Sequence, residues 1–283
     1  MSISDLRREY HRRICAEIIR VTHGKYGDYP NFADGNSLPS TKYAWGILDR
    51  LSCEQNFEKL DGQTAGLRFE RITKDFIKDA LLFLQHIRPG EYEYFIRKNI
   101  AQFAQYEHLS YISSAFKGDV VLASAFGGDY VVQPDIVVGK KPISDEVINE
   151  FGILKDGDLD HAKYTTLRER NSPRQILHAV ISCKWTIRTD RAQNTRTEVL
   201  NLIRNRKGHL PHIVAITAEP WPARVAALAL GTGDLDCVYH FALPELIESV
   251  KESGNEDAVE SLKIMVDGKR LRDVSDLPFD LAA

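Results

Sequence analysis

The sequence predicts an α/β fold, a central mixed β-sheet flanked by helices, and three observations carry that reading. Between Ile176 and Thr217 a strand, a helix and a second strand follow one another. From Pro222 to Ser253 the alternation continues as short helix, strand and helix. Finally, the 283 residues are 43% hydrophobic and 27% charged, a balance that buries a sizeable core and is far from that of disordered chains. A single domain over residues 1–283 is expected, with 1–60 as a helical and loop-rich N-terminal part.

Residues 1–22 and 66–85 have the pattern of helices. In the second, Phe69, Ile72, Phe76, Ile77, Ala80 and Leu84 recur at helical spacing as one apolar stripe, flanked by Glu70. Between them, His23 to Ser40 is rich in Gly, Asn, Asp and Pro, the composition of a long loop, and it contains Asp34. The segment Asp129 to Val138, DYVVQPDIVV, is rich in β-branched residues, and Pro134 implies an edge, bend or bulge just before Asp135. The acidic connection Ser144 to Asp160 contains DGDLD, which starts like a calcium loop. His161 then stands where the sharp-turn glycine belongs and Leu167 where the bidentate Glu belongs, so a solvated loop is expected.

From Ile176 to Ile187 the chain alternates, with Leu177, Ala179, Ile181, Cys183, Trp185 and Ile187 on one face and His178, Val180, Ser182, Lys184 and Thr186 on the other. A helix from about Arg191 to Asn205, capped by Thr189 or Asp190, leads to a buried strand, HIVAIT, from His212 to Thr217. A short helix from Pro222 to Leu230, a strand around Val238 to Phe241 and a helix from Pro244 to Ser253 complete the series. There is no internal repeat and no low-complexity tract.

No apolar run reaches the roughly 18 to 20 residues that span a bilayer, and MSISDLRREYHRR has charges where a signal peptide needs an apolar core. A cytoplasmic protein with no membrane partner is expected. Cys15, Cys53, Cys183 and Cys237 lie far apart without a CxxC pair, which argues against a zinc knuckle or a thioredoxin-type site and for reduced thiols. A net charge of −3 would ordinarily argue against a nucleic-acid partner. The distribution differs from the total: Lys184, Arg188, Arg191, Arg196, Arg204, Arg206 and Lys207 face only Asp190 and Glu198 across residues 184–207, a local charge of +5.

The residues that carry chemistry are sparse. Phosphodiester hydrolysis with magnesium calls for an Asp on one strand, a Lys on a neighbouring strand and a further carboxylate nearby. Asp135 and Lys184, 49 residues apart, supply the first two. The acid usually found two residues before the Lys, on the same strand face, is replaced by Ser182, and Glu198, 14 residues after Lys184, is the candidate for a migrated acid. Such a pair alone is a weak signal, because a Lys on the polar face of a strand is more often solvated. Three further features add to it. Arg188-Thr189-Asp190-Arg191 holds, within four residues, the side chains that read guanine and cytosine in the major groove, although a capped helix start with local ion pairs also accounts for it. Gly62-Gln63-Thr64-Ala65-Gly66, ahead of Glu70, has the composition of a flexible loop or a plain glycine turn. Arg204-Asn205-Arg206-Lys207-Gly208 suits phosphates or a basic helix end with a C-cap glycine. Leu230-Gly231-Thr232-Gly233 is too short for a nucleotide loop.

Together, GQTAG with Glu70, LQHIRPG, Pro134-Asp135, HAVISCKWTIRTDRAQN, Glu198, LIRNRKGHLPHIV, TAEP, ALGTG, DCVYHFAL and MVDGKRLRDVSDLPFDL resemble the NgoMIV-type restriction endonucleases, a CCGG-recognising family of the PD-(D/E)XK nuclease superfamily. The resemblance covers most of the chain. It implies a restriction-endonuclease-like sheet, Mg²⁺ as cofactor, and an active site of Asp135, Lys184, Glu198 and Glu70, with Ser182 close to the metal and Asp135 and the Cys183 carbonyl as its ligands. By the same resemblance Arg188, Asp190 and Arg191 read the inner CCGG of double-stranded DNA, Gln63 reaches the minor groove, and Asp34 with Arg224 reads the outer G·C pair. The implied target is GCCGGC, cut after the first G to leave four-base 5′ overhangs. The chain departs from the family pattern mainly at the N-terminus and between Gly90 and Gly128, which bears on subunit contacts and flanking DNA. A palindromic target suits a twofold dimer; the family implies a dimer of dimers and a cognate DNA methyltransferase as functional partner. The readings set against this are a non-cleaving CCGG-specific DNA-binding regulator, opposed by Asp135, Lys184 and Glu198, and a structure-selective nuclease without base reading, opposed by the RTDR strip.

Overall fold

The computed structural model describes residues 2–115, 132–154, 161–187, 189–231 and 234–283, without the side chains of 189–194. In chain order the helices are α1 (Ile3–Glu17), α2 (Leu38–Leu51), α3 (Gly62–Phe83), α4 (Glu107–Ala115), α5 (Asp145–Ile148), α6 (Thr189–Asn205), α7 (Pro222–Ala229), α8 (Leu243–Glu252), α9 (Glu256–Asp267) and α10 (Leu277–Ala282). The strands are β1 (Val21–Gly24), β2 (Gly27–Pro30), β3 (Tyr92–Ile96), β4 (Ile136–Lys140), β5 (Ile176–Lys184), β6 (His212–Thr217), β7 (Cys237–His240) and β8 (Leu271–Asp273). The expected α/β class holds: β3 to β8 form a six-stranded sheet in the order β3-β4-β5-β6-β7-β8, antiparallel at β3–β4 and parallel from β6 to β8.

The chain divides into two compact units, Met1–Arg88 with Ile181–Val199 and Ile213–Ala283, and Pro89–Val180 with Leu200–His212. In the second unit Pro134 ends the irregular approach to β4, since proline has no N–H to give to a ladder. Asp135 follows it, its carbonyl accepting from Arg97 N–H at 3.2 Å, and the apolar run Ile136 to Val138 is fully buried. The first half of β5 is held by Gln105, whose side chain donates to Leu177 O and accepts from Leu177 N–H, both at 2.8 Å, as a neighbouring strand would. The acidic connection is not the plain solvated loop expected. It carries α5, and Arg168, 4% exposed, is held by Asp145 through bonds of 2.7 and 2.6 Å, because a buried guanidinium requires a paired carboxylate. The DGDLD motif itself, like Asp129 to Val131, Arg188 and Thr232-Gly233, lies outside the described residues.

In the first unit α1 starts with a capping box of Ser2 and Asp5 and packs on α3 through Tyr10, which bonds Thr73 at 3.1 Å and meets Phe76. The stretch His23 to Ser40, expected as a loop, contains most of the β1–β2 hairpin, turned at Gly27 (φ +95°), and the start of α2. Gly46 in α2 faces Ser249 of α8, where a β-carbon would lie 2.1 Å from the hydroxyl, so only glycine permits this approach. Gly62 to Gly66 is likewise no loop: Asp61 accepts from Gln63 N–H and Thr64 N–H at 3.0 and 2.9 Å and starts α3 at Gly62. Helix α6 begins at Thr189, so Thr189 and Asp190 sit within its first turn and not ahead of it. Strand β5 is buried on both faces up to Cys183, His178 and Ser182 included, where alternation alone suggested one wet face.

The expectation of four reduced thiols is corrected at two positions. Cys15, in the last turn of α1, is bonded to Cys53, just past α2, with Cα atoms 5.3 Å apart. The fold, not the sequence spacing, brings them together: Val21 N–H donates to Asn56 O at 2.7 Å, holding the segment after α2 near the chain leaving α1. Cys183 and Cys237 are buried thiols. The core of this unit centres on Phe32, Phe69, Trp185 and Phe241, with Trp185 5.7, 5.2 and 6.0 Å from the other three rings.

Candidate functional site

Lys184 is the last residue of β5 and is half-buried. Its carbonyl accepts from Ala218 N–H at 3.3 Å, and Trp185 behind it is anchored in the aromatic core, so the end of the strand is fixed from two sides. Strand alternation puts Ser182 on the Lys184 face and the Cys183 side chain on the other. Both are buried, 7% and 8% exposed. Glu70 lies on α3, 4% exposed between Phe69 and Ile72, an unusual setting for a carboxylate. Gln63 is exposed in the first turn of the same helix, two turns earlier and therefore on about the same side.

Glu198 is exposed on α6, between the buried Thr195 and Val199. Asp135 is half-buried at the entrance to β4 and belongs to the second unit, whereas Glu70, Ser182, Cys183, Lys184 and Glu198 belong to the first. Among the described residues no three His, Cys, Asp or Glu side chains gather as a metal cage. Arg188 lies outside the described residues, as do the side chains of Asp190 and Arg191, whose backbone is in the first turn of α6.

The structure does bring Asp34 and Arg224 together, 190 residues apart in sequence, as a half-buried ion pair. The Asp34 carboxylate also accepts from Asn36 N–H at 3.0 Å, and Ser40 Oγ accepts from Asp34 N–H at 2.9 Å. The Arg224 guanidinium lies over the Trp221 ring, 5.0 Å from its centroid. Its Nη1 is 3.8 Å from Oε2 of Glu219, a residue to which the sequence reading gave no role.

Glu219 directly follows the short run beyond β6 and is completely buried. Oε2 accepts from Ile187 N–H at 3.0 Å, and Oε1 from Trp221 N–H at 3.2 Å. Burial pushes its carboxyl up to about 7, against the pull of the Ile187 N–H, Arg224 and the Trp221 N–H. His240 Nε2–H donates to the Glu219 backbone carbonyl at 3.2 Å and its Nδ1 accepts from Ala242 N–H at 3.1 Å, which fixes a neutral tautomer. Burial pulls that imidazole down to about 4. The available signal was an acid in TAEP between the end of a buried strand and Pro220, at the carboxyl end of a parallel strand, where α/β proteins place their sites.

Comparison with known proteins agrees with the resemblance read from the motifs. The family described as NgoMIV restriction enzyme matches residues 10–283. The type II restriction enzyme NgoMIV of Neisseria gonorrhoeae is 48% identical over 281 residues, covering 98% of this chain and 97% of that protein. Among solved structures, the type IIF restriction endonuclease Bse634I with cognate DNA aligns at a TM-score of 0.39 and 12% identity, over 78% of this chain and 85% of that one. A PspGI restriction endonuclease–substrate DNA complex aligns at 0.33 and 13% identity, over 99% of this chain and 92% of that one. Identity at this level over nearly the full length of both chains shows that the chain belongs to the NgoMIV family of type II restriction enzymes.

Proposed function

We propose that this restriction enzyme cuts double-stranded DNA at GCCGGC, after the first G, leaving four-base 5′ overhangs, with Mg²⁺ as its cofactor. The observation that carries the reading is the junction of β5 and α6: the strand ends on Lys184 and the helix starts at Thr189. Only three residues separate the candidate catalytic lysine from the RTDR strip, so recognition and chemistry are carried on one stretch of backbone.

Asp135 and the Cys183 carbonyl offer oxygen donors of the kind magnesium takes, and the ion, when bound, neutralises phosphate charge and activates water. Lys184 Nζ orients the attacking water and stabilises charge gathering on the scissile phosphate. Glu198 and Glu70 complete the acidic set, and Ser182 Oγ, on the Lys184 face, hydrogen-bonds within it. Arg188 and Arg191 donate to guanine O6 and N7 while Asp190 accepts from the cytosine amino group of the inner CCGG; Gln63 contacts the minor groove. Asp34 and Arg224 divide the outer G·C pair in the same way, and the ion pair that joins them holds both side chains at one place. Two subunits read the two half-sites of the palindrome, a dimer of dimers holds two duplexes, the enzyme acts in the cytoplasm, and a cognate methyltransferase protects host DNA.

The direct test is Lys184→Ala assayed for cleavage and for binding in parallel. Loss of cutting with specific binding retained is expected. Cutting at the normal rate would remove Lys184 from the chemistry, and a wild-type protein that binds CCGG without cutting would be the DNA-binding regulator instead.

A further inference from the structure

We propose that Glu219 is a positioning residue for base reading: its carboxylate holds the turn leading into Arg188 and the Arg224 guanidinium in one arrangement, so that discrimination at the outer base pair depends on it. The inference rests on the proposed role of Arg224 and names the group that governs it.

Each link is geometric. Glu219 is completely buried and uses both oxygens: Oε2 takes Ile187 N–H, one residue before Arg188, and Oε1 takes Trp221 N–H. The same Oε2 lies 3.8 Å from Arg224 Nη1, and Arg224 is also held by Asp34 and by the face of Trp221. One carboxylate therefore bonds the peptide N–H of Ile187, ahead of the RTDR strip, and the backbone N–H of Trp221, whose ring lies beneath Arg224, and it faces the guanidinium itself. A glutamine of the same shape offers a single acceptor oxygen, and its NH₂ must point at one of two N–H donors or at a cation. An aspartate keeps the charge but is shorter by one methylene.

Among the described residues, the charged or titratable groups facing Glu219 are Arg224 from α7, Asp34 from the segment after β2, and His240 from β7. His240, pulled down to about 4 by burial, stays neutral from pH 6 to 8. Across that window Glu219 itself changes charge, since burial brings its carboxyl to about 7. Discrimination is therefore strongest at pH 8 and falls as the carboxyl takes up a proton.

The experiment compares kcat/KM on matched duplexes carrying GCCGGC or ACCGGT, at pH 6, 7 and 8, for the unmodified full chain and its Glu219→Gln, Glu219→Asp and Arg224→Ala variants. The ratio for the unmodified enzyme should fall about tenfold from pH 8 to pH 6, within the range of one base contact. Glu219→Gln should show a low, pH-independent ratio close to that of Arg224→Ala, and Glu219→Asp should regain part of the pH dependence. A purely structural role for Glu219 would lower stability and leave the ratio between substrates unchanged. Glu219→Gln with the unmodified ratio, while Arg224→Ala loses it, overturns the inference alone. An unmodified ratio in Arg224→Ala overturns the outer-pair reading and the inference together. Should Glu219→Gln not fold, a flat ratio from pH 6 to 8 in the unmodified enzyme overturns it.

Discussion

The His240 imidazole donates from Nε2 to the backbone carbonyl of Glu219 at 3.2 Å, joining two buried groups whose titrations oppose each other. Burial raises the Glu219 carboxyl to about 7, so the folded state holds a proton there that the unfolded chain releases near 4.5. This contribution to stability is full below about 4.5 and is lost as pH rises to about 7. Burial lowers His240 to about 4 from 6.5, so its contribution is present above about 6.5 and is lost as pH falls towards 4.

Between about pH 5 and 6.5 the two slopes nearly cancel. The Glu219→Gln variant loses the opposing glutamate slope, so its stability should rise with pH in that window more steeply than wild type, by roughly 1.4 kcal/mol per pH unit. Urea unfolding at half-unit intervals measures this. Parallel curves for the two proteins would contradict the assignment.

Arg7 joins α1 to two other elements, bonding Glu245 at 2.9 and 2.6 Å and Asp273 at 2.9 and 3.0 Å. Burial works against both carboxylates, and Arg7, together with a backbone N–H at Glu245 and Ser275 at Asp273, more than offsets it, leaving both below their ordinary range. Arg7→Met leaves two largely buried carboxylates without their cation and should cost about 3 to 5 kcal/mol at pH 8. The depressed carboxylates lose their contribution as pH falls through their folded values, so the gap to wild type should narrow in acid. A gap independent of pH would mean that Arg7 acts through packing.

Phe32 is completely buried against Trp185 and Phe241, two residues before Asp34. Truncation to Ala should cost about 3 to 5 kcal/mol through the cavity it leaves. A loss under 1 kcal/mol in chemical unfolding would show that this core closes around the gap.

How much of this was legible in the sequence depended on whether a local pattern carried the feature. The HIVAIT run could only be a buried strand, and β6 spans His212–Thr217 as read. The Phe69 to Leu84 stripe gave α3 its face, but its start was missed because GQTAG has turn composition, and the Asp61 cap that overrides it lies one residue upstream. The β1–β2 hairpin and α2 were hidden by the Gly, Asn and Pro of residues 23–40, and β3 and β8 are too short to show a period. Asp135 and Lys184 were singled out from the chemistry that phosphodiester cleavage demands, and their catalytic roles belong to the proposed function. Glu219 was not, because its importance lies in what folding places around it: a peptide N–H from beyond β5 and a guanidinium from α7. The Cys15–Cys53 pairing was hidden for the same reason.

If Arg191 makes a bidentate contact with guanine, Arg191→Ala should cost about 1 to 3 kcal/mol of discrimination between CCGG and a scrambled site. Binding titrations at several salt concentrations separate this from a phosphate contact, whose loss weakens both sites equally and lowers the salt slope by about one. Equal weakening would make Arg191 a backbone anchor.

The central claim, that this family member cuts at GCCGGC through Mg²⁺-dependent chemistry, is tested most directly by digesting a plasmid that carries two GCCGGC sites among other CCGG contexts, with and without Mg²⁺, and sequencing every new end. Mg²⁺-dependent cuts confined to GCCGGC, with four-base 5′ overhangs beginning after the first G, are the predicted result. Cuts at every CCGG or at a different outer pair would contradict the target, and a folded protein that leaves the plasmid intact would contradict the proposed cleavage itself.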